Sequence, residues 1–416
     1  MISGSHAGVN ALEIGAAVGF DICRDALWGH ERCTWLEPVP VALSRNPAVS
    51  ATCSANVYGG TAGIGWFLAQ AAAQTAEPLL LRTARAALRQ TSAQAQTTLK
   101  IAPHGFFSGA AGTGAALILA GKSINDDQAV ADGLSLLMSI PTDTDDPFAM
   151  DLVSGLAGTV LSMTVASAVL DQDHELLARA GTAAEFLVSC GERGPDGSLS
   201  WKTMRDCSSN LTGFAHGTSG IAHALLALAA TAREGDFRKA AADAIAYESS
   251  VFDPVRRLWP DFRSLPEYFE GESAFGVGWC HGAAGIVRGR ITAAASNIKV
   301  DSDLDAGITA IVEQARRWSQ FPSVDLTLCH GLLGLVDTLL ECSRFNYGNY
   351  DELVAEVVAP IVDQFHDGLP WPTGLPSREP AHGLMLGDAG IGHFFLRLTD
   401  PTQESVLAPG LSLVTK

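Results

Sequence analysis

The chain has 416 residues, 47% of them apolar and 17% charged, with 42 glycines and a formal net charge of −18. Length alone suits two or three domains. So much negative charge repels a nucleic-acid backbone and leaves a cationic peptide or a small thiol as a suitable partner. No apolar run reaches the roughly 18 residues that span a bilayer, so neither nucleic acid nor membrane is an expected partner. The opening MISGSHAGVNALEIG lacks the basic and apolar regions of a secretory signal. The eight cysteines are scattered through a large chain, which points to reduced thiols or metal ligands in the cytoplasm.

In chain order, one signature recurs seven times: YGGTAGIG (58–65), SGAAGTG (108–114), SGLAGTV (154–160), HGTSGIA (216–222), HGAAGIV (281–287), HGLLGLV (330–336) and LGDAGIG (386–392). Each contains Gly-x-x-Gly, and successive first glycines are 46 to 65 residues apart. One step holds two helices and their loops. Ahead of each signature the spacing predicts an amphipathic helix, from NALEIGAAVGFDICRDAL through HELLARAGTAAEFLV to YDELVAEVVAPIVDQF. After each runs an apolar, small-residue segment such as GTVLSMTVASAVL or GIAHALLALAATA, expected to be a helix buried on most sides. Seven of each kind predict an all-α chain in two concentric layers, one domain over 1–416. Strand signals are weak throughout. The glycines let the chain turn sharply into each buried helix, and they are expected to leave first-turn N–H groups open toward a central space. Residues just before those glycines should then converge. The proline-rich GLPWPTGLPSREPAHG (368–383) reads as a loop over one mouth.

At the converging position stand Gly59, Ser108, Ser154, His216, His281, His330 and Leu386, and two repeats add Cys280 and Cys329 one residue earlier. Zinc favours thiolate and imidazole, and a catalytic zinc keeps three protein ligands and one open position. Cys280, Cys329 and His330 supply such a set. A purely structural Cys2His2 site closed by His281 stays open on spacing alone, and a lone cysteine is commonly a core residue.

GWCHGAAGI and LCHGLLGL, with GFAHGTSGI and DLVSGLAGT before them, resemble the motifs of the lanthionine synthetase C-like family. The resemblance runs through all seven repeats. The tail, GDAGIGHFFLRLTDPTQESVLAP, is similar to the cyclase half of the fused class II synthetases, which implies a stand-alone cyclase or an excised cyclase domain. The family fold is an α/α toroid of seven inner and seven outer helices. The resemblance implies Zn2+ on Cys280, Cys329 and His330, acid/base work for His216, and a supporting Asp151. It also implies addition of peptide cysteine thiols to dehydroalanine or dehydrobutyrine, giving thioether rings, with either His216 or His281 protonating the enolate. A dehydrated precursor peptide and a dehydratase of the kinase-lyase type are the implied partners. One departure stands out: an arginine found in some members four residues before the first zinc cysteine is Gly276 here.

For Asp151 a helix N-cap is an equal reading, and His216 alone could be structural. Trp279 either shapes the cavity wall or simply packs. His104, His223, His382 and His393 read as core or loop histidines. Two other functions remain: addition of glutathione to dehydroamino acids, and a zinc-stabilised toroid that binds peptide without chemistry. Glycosidases, which need paired carboxylates, do not fit the paired Cys-His-Gly frames.

Overall fold

The computed structural model describes residues 11–39, 49–232, 235–263, 275–321, 324–365, 369–373 and 381–415. All fourteen predicted helices are present among them. In chain order the elements are α1 (Ala11–Arg24), β1 (Leu27–Gly29), β2 (Arg32–Thr34), β3 (Leu36–Val39), β4 (Val49–Thr52), α2 (Thr61–Thr75), α3 (Pro78–Ile101), α4 (Ala110–Ser123), α5 (Asp127–Met138), α6 (Leu156–Val169) and α7 (His174–Ser189). There follow β5 (Glu192–Arg193), β6 (Leu199–Ser200), α8 (Thr218–Ala232), α9 (Gly235–Ser250), α10 (Ala283–Ala295), α11 (Asp301–Trp318), α12 (Leu332–Arg344), α13 (Asp351–Phe365), α14 (Asp388–Thr399) and the short α15 (Leu411–Val414). The strands form three antiparallel pairs, β1 with β2, β3 with β4 and β5 with β6. No helix among the described residues is long and apolar enough to cross a membrane. Residues 368 and 374–380 of the proline-rich stretch lie outside the described residues.

Two kinds of helix alternate, as the periodicity requires. In α6 every residue from Leu156 to Ser167 is buried, whereas in α7 burial is confined to Leu176, Ala180, Ala183, Ala184 and Leu187, one stripe at helical spacing. The Asp173 side chain accepts from the amides of Glu175 and Leu176 and so starts α7. Hydroxyls inside the buried helices satisfy themselves on the preceding turn: Ser162 donates to the Gly158 carbonyl and Thr164 to that of Val160.

The entry to each buried helix differs from the expectation of open amides. In six signatures the first helical amide donates to a carbonyl seven residues earlier: Thr61 to Ser54, Leu156 to Ala149, Thr218 to Leu211, Ala283 to Gly276, Leu332 to Asp325 and Asp388 to Ala381. Those donors are consumed in closing a tight loop, because an orphan first-turn amide is costly inside a protein. The second signature glycine packs on the same loop. A Cβ on Gly285 would lie 2.1 Å from the Trp279 carbonyl oxygen, and the other six signatures repeat this clash.

Contacts gather into two units, one drawn from 1–98, 116–133 and 315–403, the other from 99–115, 134–314 and 404–416. In the first, α14 packs on α1 and α2, and Arg397 is buried between Asp337 and Glu341. In the second, α8 is the hub, packed on α6, α9, α10 and α15. His223 of α8 is fully buried, with Nε2 2.8 Å from the Pro409 carbonyl and Nδ1 2.8 Å from Thr292 Oγ1. A carbonyl only accepts, so Nε2 carries the proton and Nδ1 accepts from the hydroxyl.

Burial pushes the His223 pKa down to about 4, with the neighbouring Arg288 charge adding to the effect. The folded value lies below the unfolded one of about 6.5, so stability is full above that pH and is lost as pH falls toward 4. The expected loss from this group is about 3 kcal/mol. Urea unfolding at pH 7 and pH 4.5 should show a smaller acid penalty in His223→Gln than in the unsubstituted chain. An equal penalty in both contradicts the assignment.

Candidate functional site

The residue two places before each first glycine is Tyr58, Phe107, Val153, Ala215, Cys280, Cys329 or Met385. In the second unit the amides of Phe107, Val153 and Ala215 donate in turn to the carbonyls of Val153, Ala215 and Cys280, at 3.2, 3.2 and 3.3 Å. In the first unit Cys329 donates to Met385 at 3.1 Å and Met385 to Tyr58 at 2.9 Å. This backbone ladder registers the signature loops and sets their side chains side by side.

In the second unit it brings together four expected residues. His216 Nδ1 lies 2.6 Å from Asp151 Oδ2, and Asp151 is buried. Asp151 does not cap α6, whose N-cap is Gly155 with no side-chain bond. Its Oδ1 instead accepts from the Ser154 amide at 2.6 Å, and the Ser154 hydroxyl reaches both carboxylate oxygens at 3.1 Å. A carboxylate held this firmly orients the imidazole. The His216 and His281 rings stack with centroids 5.5 Å apart and 22° between planes. Burial pulls the His216 pKa down, but the hydrogen bond and charge of Asp151 together with the Cys280 sulfur outweigh it, so the value is raised. His281 is the opposite case: burial, reinforced by Arg263 and His216, lowers it to about 4.

Gly276 has a steric reason to be glycine. A Cβ there would lie 2.3 Å from the His281 carbonyl oxygen, because the loop doubles back so that Val277 and Gly282 pair. Gly282 adopts φ 137°, a left-handed-side value that disfavours any side chain. An arginine at 276 is incompatible with this turn. Trp279 is fully buried, edge-on to Phe107, with its indole N–H on the Leu407 carbonyl at 2.7 Å. It packs.

In the first unit Cys329 is buried and its Sγ accepts from the Tyr58 hydroxyl at 3.1 Å. The His330 side chain is 47% exposed, with Nε2 3.4 Å from Asp325 Oδ2. Asp325 also accepts from the Thr327 amide at 2.7 Å. Among the described residues, Cys280, Cys329 and His330 form a group that could hold a metal ion.

Several contributors were missed by sequence reasoning. Arg263 pairs with Asp261 at 2.6 Å, and its charge acts on Cys280, His216 and His281. Glu248 holds the loop that carries His216, accepting from the amides of Gly213 at 2.8 Å and Ser219 at 2.9 Å. Arg290, fully buried, bonds Glu248 at 2.9 Å and Asp303 at 2.8 Å. Arg290→Met leaves those two carboxylates without their cation, so a stability loss of about 3 kcal/mol is expected. A urea midpoint unchanged from the unsubstituted chain contradicts that role.

The family model of the lanthionine synthetase C-like proteins matches residues 53–411. The chain belongs to the lanthionine synthetase C-like family. A solved structure of nisin cyclase is similar over 87% of this chain and 93% of that chain, with a TM-score of 0.65 and 16% identity. The fold is accordingly the α/α-toroid fold of that structure. An unsaturated glucuronyl hydrolase specific for heparin gives a TM-score of 0.44 at 9% identity over 76% of this chain and 84% of that chain. The unsaturated glucuronyl hydrolase of Bacillus sp. GL1 gives 0.42 at 14% identity over 94% and 96%. Likenesses that weak bear on no chemistry. None of the curated protein sequences matches this family member.

Proposed function

We propose that the chain is a zinc-dependent lanthipeptide cyclase that joins cysteine thiols of a dehydrated precursor peptide to dehydroalanine or dehydrobutyrine. One observation carries the reading: in a member of this family, ligand atoms of Cys280, Cys329 and His330 lie within 4.8 Å of one another. Two sulfurs and an imidazole are a donor set that zinc favours over harder cations. The nisin cyclase likeness supports the fold on which this rests.

Zinc bound there supplies the Lewis acidity that keeps a thiol ionised near neutral pH. The chain's own residues handle the other half of the reaction. As the thiolate sulfur bonds the β carbon, the C=C electron pair moves to the α carbon and carbonyl, and a proton must reach the α carbon. His216 gives Nδ1 to Asp151, which leaves Nε2 to hold and deliver that proton. Its pKa, raised by the Asp151 hydrogen bond and charge against the pull of burial, favours the proton-bearing form near neutral pH more than in a free imidazole. His281, neutral at that pH, stacks on the ring. Arg263 adds a fixed positive charge near the developing enolate.

The substrate requires an enzyme that dehydrates serine or threonine, so a kinase-lyase dehydratase is the proposed partner. Reduced thiols are required too, which suits the cytoplasm. To test the reading, a dehydrated peptide with its own cysteines is offered together with excess glutathione. Ring closure without mass gain is the expected result. A product heavier by one glutathione per dehydroamino acid would instead establish the adduct-forming activity.

A further inference from the structure

The two cysteines of the metal group are not alone in their register. Tyr58 stands at the same place in the first repeat, two residues before the first glycine, and the ladder fixes it against Cys329. The Met385 amide donates to the Tyr58 carbonyl at 2.9 Å, and the Cys329 amide donates to the Met385 carbonyl at 3.1 Å. Asn56 Oδ1 accepts from the amides of Gly59 and Gly60 at 3.1 and 3.0 Å, closing the turn behind the ring. On its far side Gly59 abuts Glu37, whose two carboxylate oxygens would lie 3.2 Å from a Cβ placed there. The backbone is thereby pinned, and the hydroxyl of the half-buried phenol donates to Cys329 Sγ at 3.1 Å.

We infer that Tyr58 is a positioning residue for the metal, orienting the Cys329 thiolate and withdrawing charge from it through this hydrogen bond. The inference rests on the zinc reading above. Groups that hydrogen-bond a ligand fix its orientation and tune its donor strength, and their loss commonly costs 10- to 100-fold in metal affinity. A donated hydrogen bond lowers the energy of the sulfur lone pairs. Removing it should therefore bring the sulfur-to-metal charge-transfer absorption to longer wavelength.

The test uses the full chain loaded with cobalt(II). Tyr58→Phe is expected to shift the thiolate-to-cobalt band to longer wavelength and, in chelator competition, to weaken zinc binding about tenfold. An unshifted band with unchanged zinc affinity overturns the inference while leaving the metal site standing. An unsubstituted protein that takes up cobalt without any thiolate band overturns the metal reading itself, and the inference with it. Melting of the metal-free variant checks the fold. Should Tyr58→Phe not fold, zinc titration of the unsubstituted protein still decides: a tyrosine difference spectrum must grow with zinc uptake, and its absence contradicts the contact.

Discussion

Cys329→Ala loses bound zinc and thioether formation together, with zinc falling from about one per chain to below about 0.1 and cyclisation falling about 300- to 3,000-fold. Two losses combine in that figure. A peptide thiol with a pKa near 8.5 is only about 3% ionised at neutral pH, which accounts for roughly 30-fold. Loss of a fixed position for the sulfur accounts for a further 10- to 100-fold, well within the range that orientation supplies. The backbone bonds of residue 329 to Met385 and of Gly331 to Thr327 do not involve the side chain, so the fold should survive the substitution. Metal analysis, circular dichroism and a thiol assay on the same sample check the three statements. Full zinc occupancy in a folded Cys329→Ala would show that the ligands lie elsewhere.

His216→Gln should behave differently. It is expected to keep zinc and lose about 10²- to 10⁴-fold in rate, the usual contribution of a positioned acid or base. Asp151→Asn removes both the carboxylate charge and the ionic hydrogen bond that raise the His216 pKa. The acid form is the working form, so a raised pKa extends activity to higher pH. Without Asp151 the alkaline limb of the rate profile should therefore move to lower pH. A rate loss in Asp151→Asn with an unmoved limb would reduce Asp151 to a structural support, in keeping with its bonds to Ser154.

The helices were legible because two local signals coincide. Gly-x-x-Gly marks a loop so tight that Gly282 would place a Cβ 2.2 Å from the Gly276 backbone, and a 3.6-residue period marks the faces around it. What became of the amides at the helix starts was not legible. Their acceptors are carbonyls seven residues upstream, such as Gly276 for Ala283, and carbonyls leave no trace in residue type. The group that could hold a metal was legible where repeats align, which is why Cys280, Cys329 and His330 stood out. Asp325, Arg263 and the Glu248–Arg290–Asp303 group were hidden, since each is an ordinary charged residue outside the repeat frame. Tyr58 is the instructive case. Its partner Cys329 lies 271 residues away, yet it occupies the cysteine register, and aligning the seven signatures two positions earlier would have exposed it.

Counting alkylatable thiols in a dehydrated precursor peptide before and after incubation with the zinc-loaded chain tests the central claim most directly. Thioether formation predicts that those thiols disappear at unchanged peptide mass, and that neither Cys329→Ala nor His216→Gln removes them at a comparable rate. A zinc-loaded, folded protein that leaves the thiols of its authentic peptide untouched would contradict it.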